Sequence, residues 1–398
     1  MSLKFYFVFL LLSAVTKACD VDENCGLLGI CNTSSVCDCE PGWIGETCAS
    51  LNLLPSPPNS GLRQTNSSNW CLSILRDDTN PKLFHAYSAD FGGCLDGLKI
   101  WLQGSRIIHA TSLGTPIGPY TPQWIDGDTE VAVSAEAHNP QAIQAPDGTY
   151  LLFDSYGGPD SGCDMMASYS NCSALGGMCA PKMNTNGGIS NYVFHYSNSP
   201  LVTNTWLPIN VSMDYPCFSE NITPSPFFHP NGTLFLVMHC DKGGEHEMGD
   251  LVMVRAETWR GPFVRVNSRI WSVSNVGPHP EDPFFFIQTN SKTRETSWHI
   301  ILHNTPVGIH LFSRDGLNFT LQQSLSSSST DAVPQPPYVY PSTINQTDGT
   351  SFNADRRERP WILFKNGTTC VPELLVTSMQ APSVFSQVFS HIQEIQSN

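Results

Sequence analysis

The sequence is poor in charged residues, and cations are scarcer than anions. Charged residues make up 14% of its 398 residues, with 20 lysines and arginines against 35 aspartates and glutamates and a formal net charge of −15. The acidic residues are scattered along the chain. A diffusely negative surface attracts neither nucleic acid nor an anionic membrane, so we expect no nucleic-acid partner.

Motifs of several common active sites are also missing. The chain has no serine-nucleophile elbow, no phosphate-binding loop, no dinucleotide fingerprint and no two-histidine spacing of a zinc helix. The acidic, glycine-containing segment 240–250 has the composition of a loop. We therefore expect no cofactor and no metal ion.

Long apolar runs are absent beyond the N-terminus. The run Phe5–Leu12 follows one lysine, and Ala18 precedes Cys19. This run has the length of a signal-peptide core and is too short to cross a bilayer. The pattern predicts a signal peptide over residues 1–18, a secreted protein and no membrane span in the mature chain; an uncleaved N-terminal anchor is the alternative.

Cysteines and glycosylation signals favour the same compartment. The cysteine count is 14, an even number, as expected for disulfides formed in an oxidising environment. Asparagines that begin an Asn-x-Ser/Thr sequon without proline are predicted glycosylation sites. They are Asn32, Asn66, Asn171, Asn210, Asn221, Asn231, Asn318, Asn345 and Asn366.

Residues 19–48 form a small cysteine-rich segment, CDVDENCGLLGICNTSSVCDCEPGWIGETC. A segment this short cannot bury a sufficient core and needs disulfides, although spacing alone leaves several pairings open. The segment resembles an epidermal-growth-factor-like (EGF-like) module, and this resemblance implies the pairs Cys19–Cys31, Cys25–Cys37 and Cys39–Cys48. It also implies a spacer or a contact unit for an extracellular protein partner.

Residues 49–81 are rich in serine, asparagine and proline, which is typical of an exposed linker. Cys71 near its end is expected to tie the linker to the large domain, with Cys94 as the nearest candidate partner.

Residues 82–398 carry a repeated strand pattern. Four stretches place polar residues and a proline before a short apolar strand and a turn. They read HNPQAIQAPDGTYLLFDS, ITPSPFFHPNGTLFLVMHC, PEDPFFFIQTNSKTRETSWHIILHN and RERPWILFKNGTT. In the first three a second, strongly apolar strand follows, which should lie between neighbouring sheets. A recurrence of about 60 to 80 residues predicts an all-β, five-bladed β-propeller; a β-helix would have a shorter period, and a β-sandwich of this length would be unusual.

The four stretches together resemble the five-bladed propellers of family 43 glycoside hydrolases and their relatives. In that family three carboxyl groups meet on the axis as base, pKa-tuning group and acid. Carried over to this sequence, the base position holds Asn139, the tuning position holds Thr223, and the acid position holds Glu281. An amide cannot take a proton from water, so the family mechanism lacks its base.

Other residues of the motifs could take part. Asp282 and Asp154 are candidate replacement carboxylates, and Asp282 and Arg359 could instead form a structural ion pair. Residues 139–140, 223–224, 281–283 and 358–360 are expected to meet at one end of the axis. The candidate binding residues beside Glu281 are His138, Asn139, Thr223, His279, Glu358 and Arg359.

These observations leave three functions open. The first is a hydrolase or transferase that acts on extracellular glycans. The second is a protein that binds a carbohydrate ligand in the same cavity with little or no cleavage. The third is a non-catalytic adhesion or matrix protein that acts through its EGF-like module.

Overall fold

The computed structural model describes most of the chain from Cys19 onwards. The described residues are 19–92, 97–99, 105–125, 128–129, 131–133, 137–156, 190–200, 206–214, 223–240, 250–271, 281–304, 306–324, 337–365, 371–380 and 387–397. The predicted signal peptide, His279 and the sequon residues Asn171, Asn221 and Asn366 lie outside this set. Across the described part of the chain, no helix is both long and apolar enough to cross a membrane.

The N-terminal segment is a small disulfide-bonded module. It contains a short 3-10 helix, Asp22–Cys25, and two hairpins. Their strands are β1 (Gly29–Cys31), β2 (Cys37–Cys39), β3 (Trp43–Ile44) and β4 (Ser50–Leu51). The disulfides are Cys19–Cys31, Cys25–Cys37 and Cys39–Cys48, so the pairing implied by the EGF-like resemblance is confirmed.

Five antiparallel sheets follow, and they are the blades of a propeller. Blade 1 contains β5 (Asn69–Arg76), β6 (Leu83–Asp90), β7 (Arg106–Leu113), β8 (Thr121–Pro122) and β11 (Val131–Val133), with a 3-10 turn at Gly97–Lys99 and a hairpin of β9 (Trp124–Ile125) and β10 (Asp128–Thr129) between its strands. Blade 2 contains β12 (Ala137–Gln144), β13 (Tyr150–Tyr156), β14 (Ser190–Ser197) and β15 (Leu207–Met213). Blade 3 contains β16 (Ser225–Phe228), β17 (Leu234–Cys240), β18 (Asp250–Ala256) and β19 (Val264–Trp271).

Blade 4 contains β20 (Glu281–Thr289), β21 (Thr296–Asn304), β22 (Val307–Ser313) and β23 (Thr320–Leu321). A separate hairpin of β24 (Thr343–Asn345) and β25 (Ser351–Asn353) precedes blade 5, which contains β26 (Arg356–Phe364), β27 (Pro372–Gln380) and β28 (Val388–Glu394). The first strands of the blades touch one another in a closed circle, in the order β5, β12, β16, β20, β26 and back to β5. They therefore surround the propeller axis, and the predicted fold class is confirmed.

The hairpin turns agree with the sequence pattern. Gly148 and Gly232 follow Asp147 and Asn231 with φ of 86° and 92°, a conformation that glycine adopts without steric cost. The apolar strands that come next, β13, β17 and β21, are buried along most of their described length. Their side chains form the cores between blades, as expected for strands covered on both faces.

The prediction of an exposed linker over residues 49–81 is wrong. Leu62 forms a bridge to Ser390 of β28, and Leu53 forms one to Ile395 just after that strand, so this stretch covers the outer edge of blade 5. Residues 69–76 are β5, the innermost strand of blade 1, and they are almost wholly buried. The N-terminal stretch thereby closes the ring, because pairing with the C-terminal strand protects an edge that would otherwise be open.

Cys71 on β5 also departs from the prediction. Its thiol is free and buried, so the expected bridge from Cys71 is not formed. Burial raises the pKa of this thiol to about 12, and the Sγ atom lies 3.7 Å from the carbonyl oxygen of Pro140 in blade 2. A thiol with such a pKa is unreactive at neutral pH, so Cys71 acts as a packing residue between two blades.

The cysteine-rich module packs against the propeller. The Trp43 indole is 3% exposed and stacks on Phe286 and His310 of blade 4. Polar contacts surround this apolar centre, with Gln322 donating to the carbonyl of Thr47 at 2.5 Å and Ser291 donating to Glu40 at 3.0 Å. The module and the propeller therefore share one core.

Candidate functional site

One backbone feature recurs at the start of every blade. A non-glycine residue with positive φ lies within the first four residues of the innermost strand in four blades, and two residues before that strand in blade 3. These residues are Cys71 (55°), Asn139 (58°), Thr223 (28°), Asp282 (57°) and Arg359 (55°). We call them the left-handed ring. Left-handed backbone at non-glycine residues is strained, and such residues cluster at functional sites.

The register of the sheets explains the feature. In blades 1, 2, 4 and 5 the pairing between the first two strands shifts at this point, which is the mark of a β-bulge. A proline follows the left-handed residue in four of the blades, at positions 140, 224, 283 and 360. Proline has no N–H to donate and is tolerated where the ladder is interrupted. In blades 2, 4 and 5 both residues at the bulge line the axial cavities described next.

Four members of the left-handed ring line a narrow axial pocket of about 10 Å³. They are Asn139, Thr223, Asp282 and Arg359, and the prolines after the last three line the pocket with them. The structure thus brings the four sequence motifs together at one place, although their sequence positions span more than half of the chain. The pocket holds about one water molecule at this volume, so it is too small for a sugar.

A larger cavity of about 120 Å³ shares two of its lining residues, Asn139 and Arg359, with the axial pocket. Four of its lining residues directly precede members of the left-handed ring. We call Trp70, His138, Glu281 and Glu358 the preceding ring. Phe91, Leu98 and Arg356 complete the lining. The cavity therefore combines an aromatic and aliphatic part with two carboxylates, two guanidinium groups, an imidazole and an amide.

Asp282 is the centre of a buried ion-pair cluster. Its carboxylate pairs with the Arg359 guanidinium and, at 2.7 Å, with Nδ1 of His303. Burial by itself would raise the pKa of Asp282, yet Arg359 and His303 outweigh it and hold that pKa below its usual range. Burial would also lower the pKa of His303, but the carboxylates of Asp282, Glu358 and Glu281 outweigh it and raise that pKa.

This geometry decides the role of Asp282. A carboxylate held between two cations is a poor acceptor of a further proton, because protonation would break both ion pairs. The structural ion pair between Asp282 and Arg359 that was considered from the sequence is confirmed. Candidate ligand atoms of Glu281, Asp282 and His303 lie within 4.8 Å of one another, but Arg359 and His303 already provide the positive charge next to Asp282.

The two glutamates of the cavity have different surroundings. Glu281 is partly buried, and it is paired in register with His303 on the neighbouring strand. Glu358 is 5% exposed, and its Oε1 accepts a hydrogen bond of 2.7 Å from Nε of Arg356. Glu358 thus has Arg356 as its direct partner. Glu281 is instead paired in register with His303, whose imidazole already forms an ion pair with Asp282.

The remaining sequence candidates take different places. Thr223 lies in the axial pocket, with its hydroxyl 3.3 Å from Nδ1 of His239. Asp154 lines neither of these two cavities. It is fully buried on β13 and its carboxylate lies 3.1 Å from Nδ1 of His195 on β14. Burial raises its pKa despite that partner. Because Asp154 lines neither of the two cavities that hold Glu281 and Asn139, the structure does not support it as a replacement base.

Several lining residues were not identified from the sequence. Trp70 and Cys71 belong to the fifth repeat of the motif, which was hidden because Leu72 stands where the other blades have proline. Arg356 and His303 reach the site through spatial proximity between strands, and no short motif marks them. Aligning the repeats at the proline position, which Leu72 fills in blade 1, places Trp70 in line with His138, Glu281 and Glu358.

The fold is shared with solved structures, two of which are compared with this chain. The catalytic domain of the Coprinopsis cinerea GH62 alpha-L-arabinofuranosidase matches with a TM-score of 0.53 and 10% sequence identity, over 87% of this chain and 98% of that chain. The alpha-L-arabinofuranosidase PaAbf62A from Podospora anserina, determined in complex with cellotriose, matches with a TM-score of 0.54 and 8% identity, over 87% and 97%. No protein-family model and no curated protein matches the sequence. At these identities the likeness establishes the propeller fold of glycoside hydrolases.

Proposed function

We propose that this protein is a secreted glycoprotein that binds a carbohydrate ligand in the cavity of the preceding ring. The observation that carries the proposal is the lining itself, in which Trp70 and Phe91 stand beside Glu281, Glu358, His138 and Asn139. Aromatic faces match the apolar C–H face of a sugar ring, and carboxylates accept hydrogen bonds from its hydroxyl groups. The fold shared with two alpha-L-arabinofuranosidases supports the same ligand class.

The size of the cavity suits a single sugar residue. Its volume of about 120 Å³ corresponds to roughly ten water molecules on the same measure. Ligand pockets combine an apolar wall with a few polar groups that fix orientation. Here Trp70, Phe91 and Leu98 provide the wall, and the glutamates and His138 provide the polar groups. We expect one terminal sugar to enter, with the rest of the glycan outside.

The proposal does not include hydrolysis by the family 43 arrangement. The base position of that arrangement holds Asn139, which lines both the axial pocket and the cavity. Its amide can donate to and accept from a sugar hydroxyl but cannot serve as a general base. In this account Asn139 is a binding residue.

Substituting glutamine for Glu281 is expected to weaken saccharide binding by about 10- to 100-fold, since a hydrogen bond to a charged group contributes about 1.5–3 kcal/mol. The saccharide is first selected by screening the purified protein on a glycan array, and affinity is then measured by calorimetric titration. Exposed Glu257 provides a matched control, and Glu257→Gln should bind as the wild type does. Equal affinity of Glu281→Gln and wild type would contradict the proposed site.

The secretory part of the proposal leads to a second expectation. The six predicted glycosylation sites within the described residues are all exposed, namely Asn32, Asn66, Asn210, Asn231, Asn318 and Asn345. Protein secreted from a eukaryotic host should therefore lose mass on treatment with a peptide-N-glycosidase, and mass spectrometry should find deamidated asparagine at several of these positions. An unchanged mass would argue against passage through the secretory pathway.

A further inference from the structure

A chain of hydrogen bonds runs from the interior of blade 4 to the cysteine-rich module. Ser297 Oγ lies 2.7 Å from Nε2 of His299, and Nδ1 of His299 lies 3.0 Å from Nε2 of His310. Nδ1 of His310 lies 2.6 Å from Oε1 of Gln322, whose Nε2 donates to the carbonyl of Thr47 in the module at 2.5 Å. We call Ser297, His299, His310 and Gln322 the histidine relay. Both of its imidazoles are fully buried.

The contact with the module determines where each proton of the relay lies. Because Nε2 of Gln322 donates to a carbonyl, its Oε1 accepts, and His310 must carry its proton on Nδ1. Nε2 of His310 then accepts, so His299 also carries its proton on Nδ1, and Ser297 donates to Nε2 of His299. A second proton on His310 would set two N–H groups against each other. The relay is therefore complete only while both imidazoles are neutral.

The side chains that stack on the two imidazoles are aromatic and uncharged. Trp43 of the module stacks on His310 with 6.2 Å between ring centroids, and Phe312 packs against the same ring at 5.9 Å. Phe286 stacks on His299 at 4.9 Å. Burial lowers the pKa of His310 to about 4. Burial, and then the neighbouring imidazole of His310, hold the pKa of His299 well below its usual value.

The charged groups of the interface form contacts of their own. These contacts are Arg314 with Glu23 and Glu295, Lys292 with Asp38, and Ser291 with Glu40. The hydrogen bond from Arg314 lowers the pKa of Glu23. Since a free carboxyl group titrates at about pH 4 and a free imidazole at about pH 6.5, the contact of Glu23 with Arg314 stays charged while a released imidazole takes up a proton.

We propose that the histidine relay is an acid-sensitive switch that holds the cysteine-rich module on blade 4 at neutral pH and favours its release as the pH falls. Release removes Trp43 and Thr47 from the relay and opens His310 to water, where an imidazole takes up a proton below about pH 6.5. The proposal concerns the docking of the module and does not depend on the carbohydrate site.

The sign of the effect follows from proton linkage. The docked state keeps both imidazoles neutral, so the released state binds more protons, and acid shifts the equilibrium towards release. The stabilisation of the docked state by the relay is complete above about pH 6.5 and is lost as the pH falls from there towards the lowered pKa of His310, about 4. Each proton taken up on release changes the docking equilibrium by about tenfold per pH unit in this range.

The test follows docking by hydrogen–deuterium exchange and mass spectrometry. The amide of Leu51 in the module donates to the carbonyl of Val339 at 2.9 Å, so a peptide containing Leu51 reports docking, and a peptide from β13 in blade 2 reports unfolding of the propeller. Rates are corrected for the intrinsic pH dependence of exchange. From about pH 7.5 to about pH 5, protection of the Leu51 peptide should fall about 30-fold for one proton taken up, or about 1,000-fold for two. Protection of the β13 peptide should stay within about threefold.

Substitutions then identify the groups that respond to pH. The double variant His299→Gln/His310→Gln has neither imidazole, and its fall in protection should shrink to less than about threefold. Each single variant keeps one imidazole and should lie between the double variant and wild type. Glu23→Gln is the matched control, because it removes an ion pair of the same interface and should leave the dependence on pH as in wild type.

Three outcomes would overturn the proposal. The first is a level protection of the Leu51 peptide down to about pH 5, a wild-type result that requires no variant to fold. The second is an equal fall in the β13 peptide, which would mean that acid unfolds the whole chain and does not release the module. The third is a fall in the double variant as large as in wild type, which would assign the response to groups outside the relay.

Discussion

The Asp282→Asn variant is expected to lose about 3 kcal/mol of unfolding free energy, because removing one partner of a buried ion pair leaves the other uncompensated. Asp282 is buried between Arg359 and His303, and both cations would remain in the variant. Asparagine tolerates the left-handed backbone of this position, so the substitution removes charge without adding strain. The midpoint and slope of guanidinium unfolding measure the loss.

The pH dependence of this loss has a defined sign. The pKa of Asp282 is depressed in the folded protein, so its contribution is present above its unfolded pKa of about 3.9 and is lost as the pH falls through the folded value. The pKa of His303 is raised, so its contribution is present below about pH 6.5 and is lost as the pH rises through the folded value. The stability difference between wild type and variant should be largest between about pH 4 and 6.5.

An exposed aspartate beside the strand that carries Arg359 gives the control. Asp355 lies just before β26 with its side chain in solvent, and Asp355→Asn should stay within about 0.5 kcal/mol of wild type at every pH. If Asp282→Asn proved equally mild, the buried cluster would not be the support of the axial pocket that the structure indicates.

The Trp43→Ala variant is expected to lose about 3–5 kcal/mol, the usual cost of truncating a buried tryptophan. Trp43 belongs to the cysteine-rich module, but its ring packs on Phe286 and His310 of blade 4. The loss should therefore appear in the unfolding of the propeller, which the fluorescence of the remaining tryptophans follows. The disulfides should stay closed, because the substitution does not touch them.

The neighbouring residue makes a matched control for Trp43. Ile44 lies on the same two-residue strand and is 43% exposed, so Ile44→Ala should change stability by less than about 1 kcal/mol. An unchanged propeller in Trp43→Ala would mean that the module is an independent unit, which is what an adhesion role through that module alone requires. A shared loss of stability favours the module as a structural part of the propeller.

Much of the fold could be predicted because local signals and the global arrangement agree. The Asp147-Gly148 and Asn231-Gly232 turns and the apolar second strands each specify local structure with few alternatives, and the EGF-like resemblance supplied the disulfide pairing that the spacing alone left open. The closure of the ring could not be predicted in the same way. The stretch before β5 has the composition of a linker, and its order comes from pairing with β28, more than 300 residues away.

The part of the site that could be predicted from the sequence is the motif repeated at the start of the innermost strands. Asn139, Thr223, Asp282 and Arg359 meet because each stands at or just before the start of the innermost strand of its own blade with a left-handed backbone, and a proline follows each of them in the sequence. The role of Asp154 could not be predicted, because the position of a carboxylate along a strand does not indicate its hydrogen-bond partner. In the structure that partner is His195 on the adjacent strand. The sequence motif of blade 5 likewise did not predict the contact between Arg356 and Glu358, which lie two residues apart on one strand.

The most direct test of the central claim is a crystal structure of the protein soaked with the saccharide that the glycan array selects. The account predicts density for one sugar ring in the cavity, in contact with Trp70 and within hydrogen-bond distance of a Glu281 oxygen. Density for that saccharide on the cysteine-rich module or on the outer strands of a blade, with the cavity of the preceding ring unoccupied by sugar, would contradict it.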